Sequence, residues 1–233
     1  MSRLLITGAR APVALHLARL FATAGHAVVL ADSQAWPLGR ATRFKEALIR
    51  LPAPRGNLQG YGKAVAEACR AHAIDLVLPT CEEVFFLAAA RDLLGLRLPL
   101  FAPDFARLKR VHDKWEFSRL AVGLGADPGE THLLTAPTDT LPFHETSKQW
   151  VFKPVWSRFG ERVLIRPTAN DLATLSPSSA DPWIAQRFLP GEELCAYAIA
   201  HSGKLCAVQA YRPVWRAGGD IGAGVAVEPV SEP

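Results

Sequence analysis

Between Arg3 and Phe101, short apolar runs alternate with helix-patterned stretches, and this alternation limits the fold more than any other feature of the 233-residue sequence. Arg3 to Thr7 reads as a strand. Pro12 to Ala24 places Leu15, Ala18 and Ala22 on one stripe and stops at Gly25, as a helix does, and Ala27 to Ala31 is a second strand. A Pro/Gly-containing stretch from Pro52 to Gly62 leads into a helix ending near His72. Strand Ile74 to Leu78, helix Glu82 to Leu94 and a short strand Leu98 to Phe101 follow. Strands that are apolar throughout have both faces buried, so the pattern predicts a parallel sheet flanked by helices. A ligand site in such a sheet lies beyond the carboxyl ends of its strands.

The texture changes around Asp113. Asp113-Lys114-Trp115-Glu116 has the form of a capping box and opens a helix to about Leu124, stopped by Gly125. Shorter strand-like segments follow: Thr131 to Leu134, Trp150 to Val155, Glu161 to Arg166, Trp183 to Leu189, Leu194 to Ala200 and Leu205 to Tyr211. A short helix is predicted at Asn170 to Leu175 within the polar stretch Thr168 to Pro182. The expected architecture is therefore α/β followed by α+β, the second part mostly antiparallel.

Charge and cysteine usage exclude several classes. Lys plus Arg number 26 against 22 Asp plus Glu, and an excess of +4 spread along the chain suits an anionic small ligand rather than nucleic acid. No apolar stretch reaches the roughly 18 residues of a membrane span, so no membrane partner is expected and the cytoplasm is the default location. Cys69, Cys81, Cys195 and Cys206 show no metal-ligand spacing and read as buried, reduced core thiols. If Ser202-Gly203 is a two-residue hairpin turn, Ile199 rather than Cys195 faces Cys206, which disfavours a disulfide.

Four constellations could carry chemistry. Gly8-Ala9-Arg10-Ala11-Pro12 is a strand-to-helix turn with Asp32 after the next strand. Gly8, Arg10 and Val13 occupy the three glycine positions of a dinucleotide fingerprint, so two glycines are missing and the NAD(P) reading is weak. Glu82 and Glu83 follow the third apolar strand, where a substrate would be met, although acids in a first helical turn also simply favour the dipole. Lys114 opens a helix, and Lys153 interrupts the apolar strand Trp150-Val151-Phe152-Lys153-Pro154. A buried ammonium needs an anion, and two lysines distant in sequence can converge on one polyphosphate. Lastly, Trp183 to Leu189 followed by Pro190-Gly191-Glu192-Glu193 offers backbone groups for a flat base and a carboxylate for ribose hydroxyls.

The order of His112-Asp113-Lys114-Trp115-Glu116-Phe117, Trp150 to Pro154, Trp183 to Ile199 and Ser202 to Leu205 resembles the ATP-grasp superfamily of carboxylate–amine ligases. The resemblance implies a Rossmann-like preATP-grasp domain over residues 1–112 and the first part of an ATP-grasp domain over 113–233, with a lid subdomain at about 130–183. It implies that Lys114 and Lys153 contact ATP phosphates, with Lys153 also near the adenine. Gln186 and the segment Arg187, Phe188 and Leu189 would meet the adenine, and Glu193 the ribose. The family's glycine-rich phosphate loop corresponds to Trp156 to Gly160, which has one glycine, leaving Ser157 and Arg158 as donors to phosphate. The family's Mg2+ ligands are expected beyond Pro233, so no residue is assigned to metal.

By resemblance, then, the chain is an ATP-dependent ligase, or the front of one, that activates a small carboxylate as an acyl phosphate for attack by an amine. On its own it is expected to turn over little ATP. Arg10, Glu82 and Glu83 are the candidate contacts to a small carboxylate or amino-acid substrate, and a homodimer is one expected assembly. A catalytically silent nucleotide- or partner-binding module is the first alternative, and an NAD(P)-dependent oxidoreductase the second.

Overall fold

A computed structural model describes residues 1–158, 160–217 and 222–230, and the chain divides into two compact units, Met1–Arg110 and Val111–Pro233. In the first unit the elements run β1 (Arg3–Thr7), α1 (Pro12–Thr23), β2 (Ala27–Asp32), β3 (Ala47–Arg50), α2 (Leu58–Ala71), β4 (Leu76–Pro79) and α3 (Glu83–Leu93). The four strands form one sheet in the order β3-β2-β1-β4 with every pairing parallel. Leu5, Val29 and Val77 pack on one side against Tyr61, Val65 and Leu87, whereas Ile6, Val28 and Leu30 pack on the other against Ala14 and Ala18. Both faces are covered, which is why these strands carry no polar alternation. Gly62 lets α2 approach α3, since a Cβ there would sit 2.7 Å from the Cβ of Ala90.

Two expectations in this unit need correction. Leu98 to Phe101 is not a strand, because only Leu100 bridges Val77 beside Pro99, and a proline cannot donate to a ladder. Ala47–Arg50 is a strand that the apolar pattern did not reveal, a four-residue edge of the sheet.

Next in order comes α4 (Phe105–His112), which the sequence reading did not anticipate. The second unit then contains α5 (Lys114–Gly123), β5 (Thr131–Leu134), β6 (Trp150–Pro154), β7 (Leu164–Ile165), α6 (Ala169–Ala173), β8 (Trp183–Arg187), β9 (Cys195–His201), β10 (Lys204–Ala217) and β11 (Ala223–Val230). The Asp113 carboxylate caps α5 by accepting from Glu116 N at 2.9 Å, as the sequence predicts. One antiparallel sheet has the order β5-β8-β6-β7. Its inner face carries Leu134, Trp150, Phe152, Trp183 and Ala185, packed with Phe143 and Leu172. β7 is shorter than expected because Arg162 and Arg166 adopt φ of 57° and 50° and turn the chain on either side of it.

The other sheet of this unit, β11-β10-β9, is a meander whose first hairpin turns at Ser202-Gly203. A bulge shifts the register, so Ile199 pairs with Ala207 and not Cys206. All four thiols are free, yet only Cys69 is buried, and Cys206 is exposed. Of the fourteen residues of β10 only Ala210 is buried, while Leu205, Val208, Val214 and Trp215 are each more than half exposed. Among the described residues no helix is long and apolar enough to cross a membrane.

Candidate functional site

In the second unit, strand alternation aligns Val151 and Lys153 of β6 with Gln186 and Ile184 of β8 on the face opposite the aromatic core. Lys153 is half-buried and has no hydrogen-bond or ion-pair partner among the described residues, and burial holds its pKa below the ordinary lysine value. Lys114, in the first turn of α5, donates from Nζ to the carbonyls of Ser157 at 2.8 Å and Val155 at 3.2 Å. Burial, then the charge of Lys153, lowers its pKa to about 8. Two ammonium groups thus share one neighbourhood without a carboxylate strong enough to balance them, an arrangement that favours a polyanion.

The other predicted residues of this unit are spread around that pair. Ser157 Oγ donates to Pro154 O at 3.2 Å, and Arg158 is exposed on the same loop. Phe159, in the loop read as phosphate-covering, lies outside the described residues. Gln186 directs its amide nitrogen at Pro128 O, 2.9 Å, and Thr131 Oγ1, 3.2 Å, so its carbonyl oxygen alone is left to meet a ligand, as an acceptor. The Arg187 N–H already donates to Glu130 O at 2.8 Å and its guanidinium lies over the Trp150 ring. Phe188 donates its N–H to Gln149 O and takes the Arg166 guanidinium over its ring, whereas Leu189 is exposed beyond the ladder. Glu193 is exposed on the turn after β8 and pairs with Arg216 of β10 at 2.7 Å.

In the first unit, Arg10 joins the two acids at the strand ends. Its guanidinium binds both Asp32 oxygens and Glu83, and its N–H donates to Asp32 at 2.8 Å. Asp32 and Glu83 are 2% and 5% exposed, so the guanidinium is what makes their burial tolerable. Gln34 N takes Asp32 Oδ1 as well, leaving Asp32 no open oxygen for a ribose. Gly8 is held at φ 75° against Thr80, whose hydroxyl would be 2.5 Å from a Cβ at that position. Buried beside this triad, Thr7 Oγ1, Tyr61 OH and Glu83 Oε2 make no hydrogen bond of ordinary geometry among the described residues, although the Thr7 hydroxyl faces that of Tyr61. Glu82 stands one residue ahead of α3, and its side chain makes no capping hydrogen bond there.

No protein-family model and no curated protein sequence matches the chain. Solved structures do. L-amino acid ligase from Bacillus licheniformis superposes with a TM-score of 0.67 at 15% identity, over 91% of this chain and 51% of its own. Phosphoribosylamine–glycine ligase from Thermotoga maritima gives 0.67 at 17% identity, over 99% and 56%. The biotin carboxylase domain dimer of Hydrogenobacter thermophilus 2-oxoglutarate carboxylase, in complex with MgADP, ADP and bicarbonate, gives 0.58 at 12% identity, over 81% and 44%. The chain shares the fold of these structures, the ATP-grasp fold. It spans about half the length of the ATP-grasp structures it matches.

Within this ATP-grasp fold, sequence reading missed three features. Pro128 and Thr131 orient Gln186, a contact made across β5 and β8 that no local spacing reveals. Arg216 reaches back to Glu193 from a strand that begins eleven residues later. A cleft of about 400 Å³ lies between Trp115, Ser118, Arg119 and Val122 on one face of α5 and the segment 127–131, and none of the predicted ligand contacts lines it. Among the described residues no three His, Cys, Asp or Glu side chains gather as a metal site.

Proposed function

We propose that the second unit binds ATP and that the chain belongs to a carboxylate–amine ligase. The observation that carries this reading is the Lys114–Lys153 pair: two partly desolvated ammonium groups, one depressing the protonation of the other, in an ATP-grasp fold. The polyphosphate would lie against Lys114 and Lys153, with Ser157 and Arg158 as further donors. Gln186 Oε1 would accept from the adenine amino group, Arg187, Phe188 and Leu189 would border the base, and Glu193 would accept from the ribose.

In such a ligase a carboxylate oxygen attacks the γ-phosphorus and ADP leaves; an amine then attacks the acyl carbon and phosphate leaves. The lysines supply charge neutralisation and positioning for the first step. No step is assigned to Mg2+. Glu83, Arg10 and Glu82 are our candidates for the substrate side, a small carboxylate or amino acid. Titration of ATP into the wild type, Lys153→Ala and Glu193→Ala tests the assignment: both variants should bind more weakly, and equal affinity in all three would empty it.

A second reading, a nucleotide- or partner-binding module without turnover, is favoured by the exposed apolar faces of β9, β10 and β11. ADP release by the purified chain at an ordinary enzymatic rate would reject it.

A further inference from the structure

Glu193 stands on an irregular turn, Pro190 to Leu194, with its side chain 59% exposed. A carboxylate so placed has many rotamers and, left alone, would present no fixed acceptor geometry. Arg216 removes that freedom. Its guanidinium, only 20% exposed, bonds Glu193 Oε2 through one terminal nitrogen at 2.7 Å and Gly222 O through the other at 2.9 Å. The anchor on Gly222 O fixes the guanidinium to backbone at the start of β11, so Glu193 is held against the sheet rather than merely neutralised. Among the described residues the other Glu193 oxygen, Oε1, has only a weak contact, 3.9 Å from the Cys195 thiol. The neighbouring acid is treated alike, since Glu192 is bound at 2.9 Å by Arg212, which also grips Glu228. Exposed pairs of this kind add little stability. Their effect is geometric.

We infer that Arg216 is a positioning residue that orients Glu193 to accept from a ribose diol, and that it thereby sets preference for ribonucleotides over deoxynucleotides. The inference rests on the nucleotide-site reading above. A hydrogen bond from a hydroxyl to a charged group is worth about tenfold in affinity or somewhat more.

ATP, 2′-deoxy-ATP and 3′-deoxy-ATP are titrated into the wild-type chain, Glu193→Ala, Arg216→Ala, Arg216→Lys and the double variant Glu193→Ala/Arg216→Ala. Wild type should prefer ATP over one or both deoxy forms by roughly tenfold. Glu193→Ala should abolish that preference, and Arg216→Ala should erase most of it while leaving affinity for the disfavoured deoxy form within about twofold. Arg216→Lys should restore part, because a lysine can still reach a carboxylate without the bidentate anchor. In the double variant the Arg216 change should have no further effect on preference. Preference lost in Glu193→Ala but intact in Arg216→Ala overturns the inference alone. Preference unchanged in Glu193→Ala overturns the ribose assignment and the inference with it. Circular dichroism of each variant separates loss of folding from loss of orientation.

Discussion

The ammonium of Lys153 disfavours the charge on Lys114, whose Nζ is already tied to the carbonyls of Val155 and Ser157. A polyanion would relieve this repulsion, so binding and protonation are linked. In the free chain Lys114 has a pKa near 8, and an anion at the site raises it. Between those two values the anion is bound together with a proton, and ATP affinity should fall by up to tenfold per pH unit above about 8. Calorimetric titrations at pH 8.5 in buffers of different ionisation heat should show net proton uptake; pH-independent affinity from about pH 7 to 10 would refute the linkage.

The same pair makes a stability prediction. Both lysines have folded-state pKa values below their unfolded ones, so the unfolded chain binds more protons in the alkaline range and stability rises with pH from about 8 toward the ordinary lysine value. Lys153→Met removes the partly buried charge while keeping its stem. It should stabilise the chain by about 1 kcal/mol and weaken ATP binding at least tenfold, a trade common where function maintains a strained group. Thermal melts alongside titration give both numbers, and destabilisation by this change would contradict the account of Lys153 as an unbalanced cation.

Arg10 pairs with two nearly buried carboxylates, Asp32 and Glu83, and among the described residues no other guanidinium does so. Removing it in Arg10→Ala leaves Asp32 and Glu83 facing each other's charge, and loss of one partner of a buried pair costs roughly 3 kcal/mol, somewhat less here because Arg10 is 30% exposed. Arg10→Lys should recover only part, as an ammonium cannot span both acids with the same geometry. Amide exchange in β1, β2 and β4 reports the loss; unchanged protection there would show that the clasp is dispensable.

Gly62→Ala places a methyl 2.7 Å from the Ala90 Cβ and 2.8 Å from Leu96 Cδ1. Leu96 Cδ1 is a side-chain end that can yield, but the Ala90 Cβ moves only with its helix, so α2 and α3 must separate at a cost of about 1–3 kcal/mol. Gly56→Ala, at a position with open space but φ of 76°, isolates backbone strain from packing for comparison. A Gly62→Ala melting temperature equal to wild type would exclude close packing of the two helices at this point.

What the sequence disclosed follows from the range of the interactions. β1, β2 and α1 were legible because apolar runs such as Leu4-Leu5-Ile6 and the stop at Gly25 are local signals. β3 was not, because an edge strand of four residues buries too little to leave a pattern. Among candidate site residues, Lys153 was conspicuous as a cation in an apolar strand, a mismatch with its immediate neighbours. The partners of Gln186 and Glu193 were hidden, since they come from Pro128 and the start of β5, and from β10, through register and a bulge that composition does not encode. In sequence Asp32 only follows the second strand beside a weak dinucleotide fingerprint; the placement of Arg10 shows its oxygens engaged.

The bare strand β10 also governs how this protein behaves at the bench. Leu205, Val208, Val214 and Trp215 expose a broad apolar face, and among the described residues the outer edges of β9 and β11 pair with no further strand. Concentrating such a molecule drives it toward self-adhesion, and hydrophobic dyes, mild detergents and column matrices will all find the same patch first. Colloidal state is thus written into the meander as firmly as any ligand preference is written into the lysine pair.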